Sequence, residues 1–406
     1  MGQHLLRDRC MALTIQEVLS SCSESFLAGH RVPRFMRQAV WQLRDCRTER
    51  MGFHVRRCPN GHVEQVHYNS CKHRCCPQCG WMQTERWLDV EKQRLLRCPH
   101  FHVIFTVPSE LRPLWRWNRA EFGKLLFRAS AESLQELLAD PKYLGARPGM
   151  LLALHTWTKR LRVHPHIHAL VTGGGLTRDG RWRATRTKWL LPQKVLTAKY
   201  RGKLRALLLR SLMRGTLRVP AGQNAARVRG LLNRLGRTHV NVKVLERYDH
   251  GVGVATYLAR YLRGGPISNR RLVSLHQGIV TFRYLDRRRV DPAGRPTPQL
   301  AQLPVLKFVQ AFLQHVPPKG FTVVRRYGLY AGNKVAEMNA ARAELGQPAW
   351  QKPERPSWAE LLERMESAKP SRCPVCRAEL ICERVDATTR SPPKAKATSD
   401  AIAVCS

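Results

Sequence analysis

Five cysteines lie within the 22 residues from Cys58 to Cys79, and this stretch constrains the fold more than any other. It reads Cys58-Pro-Asn-Gly-His62, then Cys71-Lys-His-Arg-Cys75-Cys76-Pro-Gln-Cys79. A tetrahedral zinc site needs two ligand pairs brought together by tight turns. Cys76-Pro-Gln-Cys79 is a CxxC knuckle of that kind, and Cys58 with His62 supplies the other pair. Cys71 competes as fourth ligand, and Cys75, His54, His67 and His73 are further options. A redox CxxC would want a strand-to-helix setting, which residues 51–80 lack. The segment therefore reads as a small module held by structural Zn²⁺. Of the 13 cysteines, Cys373-Pro-Val-Cys376 forms a second knuckle with only Cys382 near it. Cys10, Cys22, Cys46, Cys98 and Cys405 are scattered and read as buried small hydrophobes or exposed thiols.

Charge narrows the function. Lys and Arg number 70 against 29 Asp and Glu, a formal net charge of +41, which excludes an ordinary metabolic enzyme and points to a polyanionic partner. A hydrophobic content of 43% excludes a wholly disordered basic tail. From Gly180 to Leu245 there are 17 Lys or Arg and no acid, a stretch suited to tracking a phosphate backbone. Trp115, Trp117, Trp182 and Trp189 are interleaved with basic residues and are candidates for stacking on exposed bases. No apolar run approaches the roughly 20 residues of a membrane span. Residues 1–21 lack a signal-peptide core, and position six is Leu6 rather than a myristoylation Ser or Thr. A cytoplasmic protein with a polyanionic partner is expected, without a membrane partner.

The elements follow from periodicity. Residues 10–50 read as helices, as do Trp81 to Leu96, Glu110 to Leu138, Val195 to Met213, Ala225 to Leu235, Val252 to Leu262 and Leu303 to His315. Strands are expected at Phe101–Val107, Met150–Thr156, His164–Thr172, Val240–Leu245 and Ile279–Leu285. Residues after about 385 have the composition of a flexible tail.

Two patterns carry chemistry. In His164-Pro-His166-Ile-His168, alternation along a strand turns the histidines to one face, a half-built site for Mg²⁺ or Mn²⁺. His102, on the strand that begins near Phe101, is the candidate third ligand if the two strands are neighbours. In Thr256-Tyr257-Leu-Ala-Arg260-Tyr261, two tyrosines lie one helical turn apart on one face. A tyrosinate that attacks a phosphodiester forms a phosphotyrosine and keeps the bond energy for rejoining.

The order of a Phe-Thr-x-Pro strand, a His-hydrophobic-His strand and a Tyr helix resembles the HUH endonucleases. More narrowly, the chain resembles the two-tyrosine rolling-circle insertion-sequence transposases of the IS91 family, from about residue 10 to residue 345. The passages that carry the likeness are Tyr68 to Cys79, Cys98 to Pro108, His164 to Gly175, Tyr257 to Leu272 and Lys319 to Leu329. The first zinc pair departs from the family's frequent CxxC, being Cys58-x3-His62, which leaves the ligand set open.

The resemblance implies an α+β fold, an antiparallel-sheet HUH nuclease core preceded by a helical and zinc-binding module. The domains expected are 1–50 (helical), 51–95 (zinc-binding), 96–345 (nuclease) and 346–406 (an extension with the second CxxC). It implies Tyr257 and Tyr261 as nucleophiles, His166 and His168 as catalytic metal ligands, and Arg263, Arg270 and Arg271 as a DNA clamp. The implied activity is metal-dependent cutting and rejoining of single-stranded DNA at insertion-sequence ends, with host replication machinery extending the freed 3′-hydroxyl. The alternatives are a plasmid or phage replication initiator or relaxase, and a non-catalytic zinc-dependent nucleic-acid-binding protein.

Overall fold

The computed structural model describes residues 13–186, 189–253, 255–256, 265–354 and 372–385. Its centre is a five-stranded sheet in the order β12-β4-β5-β3-β8, with every neighbouring pair antiparallel. The strands are β3 (His100–Thr106), β4 (Gly149–Trp157), β5 (Val163–Thr172), β8 (Val242–Tyr248) and β12 (Val324–Gly328). Together with the helices this gives the α+β class expected from the sequence.

Alternation separates the two faces. Phe101, Val103 and Phe105 of β3, Met150, Leu152 and Leu154 of β4, and Ile167, Ala169 and Val171 of β5 all enter one core cluster. Helices α5 (Arg119–Ala139) and α6 (Gln193–Met213) cover that face through Phe122, Leu126, Leu134 and Leu138 and through Leu196, Tyr200, Leu204 and Leu208. Both helices repeat apolar side chains every three or four residues, so each presents one stripe to the sheet. At about 25 cal/mol per Å² of apolar surface removed from water, burying this layer is strongly stabilising. Trp115 belongs to it: it is 2% exposed and packs edge-on against Phe122, so it does not offer a base-stacking face. Trp117 and Trp189 are exposed, and Trp182 is half-buried over Gly174.

The opposite face carries His102, His155, His166 and His168, and beside them the cluster of Leu151, Ala153, Leu170, Leu88, Ala255, Tyr330 and Met338. Leu88 comes from α3 (Trp81–Arg94), so this helix packs on the five-stranded sheet.

A second body joins residues near the N-terminus to residues 267–316. Helices α1 (Ile15–Gly29) and α2 (Arg34–Arg44) pack with the helix Val305–Leu313 and the sheet β11-β10-β9. Thr14 caps α1: its hydroxyl accepts from the Glu17 amide at 3.2 Å, while the Glu17 carboxylate accepts from the Thr14 amide at 2.7 Å. The strands are β9 (Leu272–His276), β10 (Ile279–Val290) and β11 (Pro296–Pro304). A third sheet has the order β13-β1-β2, with β1 (Phe53–Arg57), β2 (Glu64–Tyr68) and β13 (Ile381–Val385). Residues 372–385 thus return to the N-terminal module.

Candidate active site

The histidine face is assembled by register. His155 lies opposite His166 in the β4–β5 pair, and His168 is opposite Ala153. The nitrogen ligand atoms of His155, His166 and His168 all lie within 4.8 Å of one another. On β3, His102 pairs with Leu170, two residues beyond His168. That stagger brings His102 Nε2 to 2.8 Å from His168 Nδ1. His102, expected as the third ligand, therefore stands behind His168, and His155 occupies the third place in the cluster. His155 was missed because one histidine on an apolar strand gives no signal until the pairing register is known.

The electrostatics favour neutral imidazoles. Burial pushes His166 and His102 down to about 4 and His168 down to about 2. Burial also pushes His155 well below its ordinary value, with the neighbouring histidines adding to the effect. Neutral imidazole is the metal-binding form. The Nδ1–H of His166 donates to the His164 carbonyl at 2.7 Å, which turns its Nε2 toward a ligand. A cluster of three converging, neutral imidazoles fits a divalent cation with open coordination positions.

The helix expected at Val252–Leu262 is helical at 252–253 and 255–256. Its start rests on the histidine face: Ala255 packs with Ala153 and Leu170, and the Thr256 hydroxyl donates to the Val252 carbonyl at 2.8 Å. Tyr257, Tyr261 and Arg263 lie outside the described residues. Arg270 is exposed. Arg271, expected in the DNA clamp, uses its guanidinium differently. It donates to the carbonyl of Arg283 at 2.8 Å, and to those of Pro266 and Lys159, holding its own loop in place.

Among the described residues, two clusters contain cysteines. Cys46, Cys71, Cys76 and Cys79 have all four sulfurs within 4.8 Å. Cys71 and Cys79 Sγ are 3.6 Å apart, as are Cys46 and Cys76 Sγ. A tetrahedron with Zn–S bonds of about 2.3 Å has edges of about 3.8 Å, so the four thiols fit Zn²⁺. Mutual hydrogen bonds push the Cys79 and Cys46 thiols down and the Cys71 and Cys76 thiols up, so the fit to Zn²⁺ rests on the convergence of the four sulfurs. The expected quartet of Cys58, His62, Cys76 and Cys79 is thus split. Cys58 and His62 instead meet Cys373 and Cys376. The cause is topological: Cys58 and His62 sit at the far end of the β1–β2 hairpin, whereas Cys46 follows α2 and turns back under Cys71. Cys75 faces away, buried, with its thiol pushed up to about 12 by desolvation.

Among the described residues no helix is long and apolar enough to cross a membrane. Residues 18–107 match a family model described as "Transposase zinc-binding domain", and residues 149–337 match one described as "Putative transposase". The chain is 30% identical over 397 residues to "Putative transposase y4qJ" of Sinorhizobium fredii, covering 95% of this chain and 98% of that protein. It is 31% identical over 357 residues to "Transposase for insertion sequence element IS801" of Pseudomonas savastanoi pv. phaseolicola, covering 85% of this chain and 82% of that protein. No solved structure matches the chain. The complete four-cysteine cluster lies within the first matched segment, the histidine cluster lies within the second, and the similarity runs through both, so the chain belongs to the IS91 family of transposases.

Proposed function

We propose that this transposase cuts and rejoins single-stranded DNA at insertion-sequence ends through 5′-phosphotyrosine intermediates, driving rolling-circle transposition. The observation that carries this reading is the convergence of His155, His166 and His168 on the sheet face against which Ala255, just before Tyr257, packs. In the proposed reaction the phenolate of Tyr257 or Tyr261 attacks the scissile phosphorus. The P–O3′ bond breaks, and the 3′-oxygen leaves and takes up a proton. The tyrosine stays joined to the 5′ end, so no bond energy is lost to water. Host polymerase extends the 3′-hydroxyl, and the second tyrosine cuts the displaced strand. A 3′-hydroxyl then attacks a phosphotyrosine, reforming the phosphodiester and freeing the phenol. His155, His166 and His168 would hold Mg²⁺ or Mn²⁺, which when bound polarises the scissile phosphate. His102 would orient His168, Zn²⁺ in the four-cysteine cluster would hold the N-terminal body together, and Arg263 and the exposed Arg270 would contact the DNA.

Labelled single-stranded DNA carrying the element's end, incubated with Mg²⁺ or Mn²⁺, tests this. A denaturation-resistant protein–DNA adduct is expected. It weakens in Tyr257→Phe and in Tyr261→Phe, and is lost in the double variant and in His166→Ala. An adduct that survives the double variant would overturn the nucleophile assignment. Tight binding without cleavage by the wild type would mark a binding protein instead.

A further inference from the structure

The antiparallel pairing of β13 with β1 has a consequence at one end of the small sheet. The register runs from Phe53 opposite Val385 to Arg57 opposite Ile381. The residues just past Arg57 and those just before Ile381 therefore meet. They are two knuckles, Cys58-Pro-Asn-Gly-His62 and Cys373-Pro-Val-Cys376. Their four ligand atoms converge within 4.8 Å. Cys58 Sγ lies 3.4 Å from Cys376 Sγ and 3.5 Å from His62 Nδ1.

Both turns are shaped to present sulfur. Gly61 has φ 73 and Arg377 has φ 62, the left-handed conformation that reverses the chain after the first ligand of one knuckle and after the second ligand of the other. The Asn60 amide donates to Cys58 Sγ at 3.4 Å and its side-chain amide to Cys376 Sγ at 3.5 Å. The Cys373 amide donates to the Ala378 carbonyl at 2.8 Å, closing the second knuckle. A disulfide does not account for this arrangement: 3.4 Å far exceeds the roughly 2.05 Å of an S–S bond, and it would use only two of four converging donors.

The sheet also needs a staple. Among the described residues, the apolar cluster at the knuckle end of the sheet holds Cys58, Cys373 and Leu380, with Val63 and Cys376 beside them; Phe53 and Val55 of β1 are buried further along, and four of the five residues of β13 are exposed. So small a core does not hold a strand by burial alone. Cys373 and Cys376 lie outside both family-matched segments, and the zinc-binding segment already contains a full set of ligands in Cys46, Cys71, Cys76 and Cys79.

We propose that Cys58, His62, Cys373 and Cys376 bind a second structural Zn²⁺, clasping the C-terminal strand onto the N-terminal module. Three thiolates and one imidazole are a common donor set for a closed, tetrahedral zinc site. The clasp joins residues 318 apart in sequence, Cys58 and Cys376. It fixes β13 to the module independently of the nuclease chemistry.

The test is metal content of the full-length purified protein by mass spectrometry, with Co²⁺ substitution to identify donors. Wild type is expected to carry two Zn²⁺ per chain, and Cys373→Ser/Cys376→Ser one. In the Co²⁺ form the double variant loses the three-thiolate absorption and keeps the four-thiolate one. Hydrogen exchange of the Ile381–Val385 amides accelerates in that variant. His62→Cys guards against a variant that fails to fold. It keeps two ions and shifts the second to a four-thiolate spectrum. One Zn²⁺ in the wild type, two in the double variant, or a disulfide from Cys58 to Cys373 or Cys376 in the zinc-loaded protein would each overturn the proposal.

Discussion

His102 Nε2 sits 2.8 Å from His168 Nδ1, with the two rings stacked at a centroid distance of 5.0 Å. The contact engages Nδ1 of His168, a ring that also contributes a nitrogen to the cluster with His155 and His166. Partners of this kind raise the basicity of a metal-bound imidazole and hold its plane. In the proposed reaction His102 positions His168, whereas His155 is a member of the cluster itself.

The two roles separate by titration with Mn²⁺. His102→Ala is expected to weaken Mn²⁺ binding about 10- to 100-fold while leaving a saturable site. Gln at the same place, which offers an amide oxygen, recovers part of the loss. His155→Ala removes a donor and lowers metal-dependent DNA cleavage by about 100-fold or more. Equal losses in His102→Ala and His155→Ala would mean that both histidines ligate.

Stability should fall in acid before the carboxylates titrate. Burial pushes His315 and His100 down to about 4, from about 6.5 in an unfolded chain. His315 accepts from the Thr156 hydroxyl at 3.1 Å and donates to the Leu161 carbonyl at 3.0 Å, a neutral tautomer wedged between elements. Between pH 6.5 and 4 the unfolded chain binds the proton that the folded one refuses. The contribution is thus complete above pH 6.5 and lost progressively as pH drops toward 4. For one such histidine the loss amounts to about 3 kcal/mol. Urea unfolding of metal-free protein from pH 7.5 to 4.5 should show this decline, and His315→Gln should flatten it by about one proton. A flat profile in the wild type would show that these histidines are protonated in the native state.

How much of this was legible differs element by element. The alternation in Phe101–Val107 and His164–Thr172 made the histidine face readable, because a period of two fixes which side chains share a side. It could not reveal His155, whose approach to His166 depends on which strands pair and in what register. Cys46 was unreadable for the same reason: it is 25 residues from its partner Cys71 and reaches it only through the turn after α2. The strand β11 was obscured by Pro296, Pro298 and Pro304, which argue against a central strand. In the structure it is an edge strand, where proline is tolerated. The short β12 and β13 carry too few apolar residues to signal themselves, and both are held by partners distant in sequence.

The junction of β12 with β4 depends on one glycine. Gly328 has φ +58, and a Cβ there would lie 1.9 Å from the Pro148 carbonyl oxygen, which accepts from the Leu329 amide at 3.0 Å. Backbone, not a flexible side chain, must move to admit it. Gly328→Ala is expected to cost at least about 2 kcal/mol, from left-handed strain and the clash together. Gly332, four residues on, has nothing within 4 Å, and Gly332→Ala should stay within about 0.5 kcal/mol of wild type. Thermal melts of the two variants side by side check the contrast, and equal midpoints would refute it.

The last prediction concerns how α3 is fastened to the sheet. Glu91, its side chain 2% exposed, accepts from Arg326 of β12 through both carboxylate oxygens, one of them at 3.2 Å from Nε. The two partners are not equivalent. Arg326 is 35% exposed and can turn toward water if Glu91 is removed, whereas Glu91 has nowhere to go. Arg326→Leu strands a buried carboxylate and should cost about 3 to 5 kcal/mol, more than Glu91→Leu does. Replacing both by leucine removes the stranded charge and fills the space with apolar atoms, so the double variant should be more stable than Arg326→Leu alone. Urea midpoints for the four proteins give the coupling directly. If the two losses simply add, the pair is not a coupled fastening, and α3 is held by its apolar contact through Leu88 instead.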